Sequence, residues 1–64
     1  MNKYTIHERA GVYTGWWSTS KEKMIEKCNS ITYYAEVCEE YTALSPWTGK
    51  LTPHARTVYK NNKT

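Results

Sequence analysis

The sequence predicts an α+β fold: a small antiparallel sheet of three to four strands with one helix packed on one face, in the order ββαβ. Two β-prone segments flank a glycine-bearing turn, one amphipathic stretch opens on a capping pattern, and a tyrosine-rich run follows it. A hairpin and one amphipathic helix can bury each other's apolar sides, so this architecture suits so short a chain.

The hairpin comes first. Lys3 to His7 alternates, and Val12 to Trp17 is β-branched and aromatic apart from Gly15. A three-residue loop, Arg9-Ala10-Gly11, lets Gly11 take the left-handed conformation that Ala10 would resist. Counting outward from the loop sets Glu8 opposite Val12, Ile6 opposite Thr14 and Tyr4 opposite Trp16. One face is then Tyr4, Ile6, Val12, Thr14 and Trp16; the other is Thr5, His7, Tyr13, Gly15 and Trp17. The first is expected to be the core face, with Trp16 buried in it, although the reverse assignment stays open.

Thr19 with Glu22 three residues on is a capping-box pattern and predicts a helix start. Met24, Ile25, Cys28 and Ile31 share one side of that helix, while Lys21, Lys23, Glu26 and Lys27 stay wet. Asn29-Ser30 weakens it. Residues 32–40 read two ways. As a strand, Tyr33, Ala35 and Val37 alternate with Tyr34, Glu36 and Cys38; as a helix, Met24, Cys28, Ile31, Ala35 and Cys38 recur at helical spacing. Thr32-Tyr33-Tyr34, after the Asn-Ser break, favours the strand.

From Thr42 onward, Ser45-Pro46, Thr48-Gly49 and Thr52-Pro53 punctuate a loop. Trp47, in its middle, is either a plug that folds back on the core or an exposed anchor, and the plug is favoured because so small a domain needs its large side chains for burial. Thr57-Val58-Tyr59 is able to add an edge strand. Residues 1–60 should form a single domain and residues 61–64 a disordered tail.

The apolar supply is unusual: no Phe, two Leu, three Ile and three Val, but three Trp and six Tyr. Aromatics each bury roughly 150–250 Å², so they are expected to serve both a small core and a contact surface. The start of the chain has no apolar run of the signal-peptide kind, and no stretch is long enough for a membrane span. A cytoplasmic setting is expected, with Cys28 and Cys38 as reduced thiols in the core. Charge is unevenly spread. Residues 1–41 carry five basic side chains and six Glu, whereas residues 42–64 carry Lys50, Arg56, Lys60 and Lys63 with no acid. A basic arm or edge would favour an anionic partner.

Catalytic chemistry finds little to work with. His7, Cys28, Cys38 and His54 lack any CxxC or HxxxH pair, so no metal site is expected. There is no Asp, and the six Glu are spaced as a solvated helix face or strand edge. Thr48-Gly49-Lys50-Leu51-Thr52 lacks the upstream glycine of a phosphate loop and reads as a turn. No enzyme and no cofactor are expected.

Binding is the remaining class. Tyr13 and Trp17 on the outer hairpin face, with Arg9 at its tip, are the candidate contacts, and Arg56 and Lys60 are the supporting charges. Trp, Tyr and Arg dominate protein hot spots, and an open sheet edge could pair with a partner or a second copy to make a homodimer. The alternative is a nucleic-acid module that stacks bases on the same aromatics and uses the basic C-terminal segment. Glu36, Glu39 and Glu40 count against that and favour a protein partner.

The segment Lys3–Tyr41 is a glycine-turned hairpin, then Thr-Gly-Trp-Trp-Ser-Thr-Ser-Lys-Glu-Lys, a short helix and a tyrosine-rich strand. It resembles small bacteriophage accessory proteins in size and pattern. That resemblance implies a stoichiometric binder that modulates or inhibits a host enzyme, transcription component or defence complex in the host cytoplasm.

Overall fold

In the computed structural model, which describes residues 2–63, the elements run β1 (Lys3–Glu8), a 3₁₀ turn (Arg9–Gly11), β2 (Tyr13–Ser18), α1 (Lys21–Ser30), β3 (Ala35–Leu44) and β4 (Leu51–Lys60). The strands form one antiparallel sheet in the order β2-β1-β3-β4, and α1 lies across one face. This is the predicted α+β class with a full fourth strand.

The core is small. Ile6, Met24, Cys28, Ala35 and Val37 are buried, with Tyr4, Ile25, Ile31, Val58 and Tyr59 packed around them. Ile6 pairs with Val37 and Glu8 with Ala35, so strand alternation turns these residues together toward α1. Trp16, expected in this core, is 50% exposed and only lies beneath the Lys27 ammonium, 3.8 Å from its ring centroid. Val12 is also exposed. The ten-residue α1 reaches β1, β2 and β3, and over β2 it meets the Trp16 ring with a lysine.

The first hairpin departs from its simple count in two ways. Ala10 as well as Gly11 has positive φ, 68° and 79°. Tyr13 faces His7 as expected, but further along Trp17 faces Thr5 and Ser18 faces Tyr4, a shift of two residues. Gly15, at φ 93°, sits in the irregular stretch, where a side chain would be strained. A shift of two preserves the faces, so Tyr13 and Trp17 still point away from α1 with Thr5 and His7.

The helix starts one residue later than Thr19 suggests: Ser20 is the cap, accepting from the Lys23 amide at 3.3 Å. It ends at Ser30, and Ala35 onward is strand, resolving the ambiguity at residues 32–40. The stretch from Thr42, expected to be loop, is strand on both sides of a tight turn. Ser45 donates to Lys50 O at 2.8 Å, and Gly49 donates to Ser45 O at 2.9 Å. Alternation from the Ser45–Lys50 bond makes Thr42–Pro53 a non-hydrogen-bonded pair. Pro53 therefore lacks its N–H on the free side of an edge strand, where the loss is tolerated.

The expected tail is anchored as far as it is described. Asn61 Nδ2 donates to Cys28 O and Tyr33 O, both at 2.9 Å, and its Oδ1 accepts from Ala35 N at 3.0 Å. Lys63 Nζ donates to Ile31 O at 2.7 Å and to Asn29 O. A cation is favourable at carbonyls that end a helix. Thr64 lies outside the described residues.

Candidate functional site

Since α1 covers one face, the other face of the sheet is open. Register and alternation place Trp17 and Tyr13 of β2, Lys3, Thr5 and His7 of β1, Glu36, Cys38 and Glu40 of β3, and Ala55, Thr57 and Lys60 of β4 on it. Trp17 is 56% exposed, and Lys3 Nζ lies 4.9 Å from its ring centroid. The His7 and Tyr13 rings are 5.3 Å apart. Arg9, at the turn, sets its guanidinium 5.0 Å over the Tyr34 ring, whose hydroxyl donates to Glu36 at 3.0 Å. These contacts stiffen the aromatics without covering them.

His7 is held at both nitrogens. Nδ1 faces Gly11 O at 3.2 Å and Nε2 faces Thr5 Oγ1 at 3.0 Å. A carbonyl can only accept, which puts the proton on Nδ1; in the neutral ring Nε2 then accepts from the Thr5 hydroxyl. Thr5 itself is buried. It lies between Trp17 and Cys38 in the sheet.

The structure brings Arg9, Tyr13, Trp17 and Lys60 to this face. Arg56 goes elsewhere. It belongs to the helix-side face, opposite Glu39, and donates to Glu39 Oε1 through Nε at 2.9 Å and Nη2 at 2.7 Å. The other Glu39 oxygen accepts from Tyr4 at 2.8 Å and Asn2 at 3.0 Å. Those bonds, Tyr4 first and then Arg56 and Asn2, hold the buried Glu39 carboxyl below its ordinary value. The basic C-terminal segment is thus split between two faces.

Trp47 takes the less favoured of its two readings, the exposed anchor. It is 92% exposed at the β3–β4 turn rather than a plug. The Pro46-Trp47-Thr48-Gly49 string was the available signal, because a residue inside a tight turn at the end of a long hairpin has nothing to fold back on. None of the nine aromatic residues is buried.

The two thiols are free and lie on opposite sides of the sheet. Cys28, on the inner side of α1, donates to Ala35 O at 3.3 Å, and burial pushes its thiol pKa up. Cys38 is half-buried on the open face beside Thr57, not in the core, and desolvation raises it too. A raised pKa keeps the protonated, weakly nucleophilic form at neutral pH. Among the described residues no group of three His, Cys or Glu side chains is placed to hold a metal ion, and no helix is long and apolar enough to cross a membrane. Compared with protein-family models, curated proteins and solved structures, the chain matches none.

Proposed function

We propose that the chain is a non-enzymatic binding protein that occupies a surface on a larger host protein or complex and so modulates or inhibits it. The action would be that of a small bacteriophage accessory protein in the host cytoplasm. One observation carries this reading: Tyr13 and Trp17 stand exposed on the uncovered sheet face, with Arg9 at the hairpin tip over Tyr34, while a small apolar core on the helix side does the folding. Trp, Tyr and Arg are the side chains that dominate protein hot spots.

Charge favours a protein over a nucleic acid. With Arg56 drawn to Glu39, the open face sets Lys3, Arg9 and Lys60 against Glu36 and Glu40. A phosphate backbone gains little from so mixed a field. The raised thiol pKa values support a role without covalent chemistry.

The test is affinity capture from a bacterial host lysate with wild-type and Trp17→Ala chains, each checked for fold by circular dichroism. The expected result is a stoichiometric protein partner retained by wild type and lost by a folded Trp17→Ala. Equal capture by both would remove Trp17 from the interface. A titration with single- and double-stranded DNA and RNA at low salt is expected to show no binding; affinity falling steeply with salt would replace this reading with the nucleic-acid one.

A further inference from the structure

The molecule is long for its size. Its extents are 41 × 23 × 17 Å and its radius of gyration is 12.9 Å, against about 10.7 Å for a compact 64-residue domain. It exposes 4695 Å², where a compact monomer of this mass exposes about 4,250 Å². The excess lies in a two-stranded arm. β1 pairs β3 only through Glu40, so Tyr41–Leu44 and Leu51–His54 project beyond the body as a ribbon.

The arm's open face carries an apolar strip beside Thr42. Leu44 and Leu51 face each other, 66% and 69% exposed, and exposed Pro53 and Ala55 continue the strip toward the body. Trp47 caps the tip, and the tip is pre-set: Trp47 N donates to Ser45 Oγ and Lys50 N to Thr48 Oγ1, both at 3.3 Å. Where arm meets body, a depression of about 370 Å³ is lined by Thr5, His7, Glu40, Pro53, His54 and Ala55. Among the described residues Glu40 has a loose ionic partner, Lys3 at 4.0 Å.

The geometry points to a homodimer in which two arms pack open face to open face, each Trp47 seated in the other copy's depression and each Lys50 beside the other copy's Glu40. A two-fold axis near Ala43–Thr52 sets Leu51 of one copy against Pro53 of the other and Leu44 against Thr42. It places the tip and the Glu40–Ala55 part of the depression about 10 Å to either side, three residues of strand. Knob and hollow, and cation and carboxylate, then exchange places, as an isologous interface requires. The strip that each copy exposes would be covered, while Tyr13 and Trp17 remain on the outer side of β1. The sheet edge is the poorer route to a dimer, because Pro53 removes a donor from it.

Sedimentation equilibrium of the whole chain, from micromolar to millimolar, is the test. The expected result is a monomer–dimer equilibrium that Trp47→Ala weakens by roughly tenfold or more. Lys50→Glu and Glu40→Lys should each weaken it, and the double variant should restore it. Trp17→Ala should leave it unchanged, which separates failure of the dimer from failure of the partner site. A wild-type chain that stays monomeric throughout, or a double variant that restores nothing, would overturn the proposal. So would association appearing only with added oligonucleotide.

Discussion

A carboxylate that accepts from Tyr4, Asn2 and two nitrogens of Arg56 supports the fold only while ionised. Its folded pKa is depressed below the ordinary 4.5, so the contribution is fully present above that value and is lost as pH falls through the lower one. Acid unfolding of Glu39→Gln is therefore expected to be less steep below the ordinary carboxylate range than that of wild type; identical acid profiles would show that Glu39 carries no such linkage. Ala10 is a second residue with a measurable cost. At φ 68° it holds a conformation that disfavours L side chains by about 1–2 kcal/mol, partly offset in a glycine by about 0.5–1 kcal/mol of chain entropy. Ala10→Gly should raise the urea midpoint slightly. Neither feature was legible beforehand. Glu39 reads as one acid in a Glu-Glu pair until the strand register sets Arg56 opposite it, and Ala10 takes its strain from a turn geometry that residue preferences argue against.

Elements were easier to foresee than their ends. The alternation of Ala35 and Val37 and the helical spacing of Met24, Cys28 and Ile31 encode burial directly, and those residues are the core or its margin. The β3–β4 ribbon was hidden because Pro46, Gly49 and Pro53 all read as loop signals. Two of them form the turn and the third sits where an edge strand tolerates proline. The C-terminal clamp was hidden for another reason: Asn61 is a polar residue near a chain end, and only the folded arrangement brings Cys28, Tyr33 and Ala35 to it. Intramolecular hydrogen bonds contribute about 0.5–1.5 kcal/mol each, so Asn61→Ala should cost about 2 kcal/mol in chemical denaturation. A change within a few tenths would mean that the helix end is held without it.

At the scale of the whole molecule, aromatics that the composition suggested for the core are turned outward, and a handful of smaller side chains does the folding. The candidate face was legible because a two-residue slip in register keeps each side chain on its side of the sheet; Trp47 was not, because its neighbours read as a long loop able to fold back rather than as the tight turn of a ribbon. The division of labour is tested most directly by comparing the unfolding free energies of Ile6→Ala and Trp17→Ala, measured by urea at low protein concentration. Ile6→Ala should lose about 2–5 kcal/mol, the range for emptying a filled core position. Trp17→Ala should stay folded and lose only about 1 kcal/mol, in keeping with a half-exposed ring over Lys3. A Trp17→Ala chain as destabilised as Ile6→Ala would show that the outward aromatics hold the fold together, and would contradict their assignment to a partner.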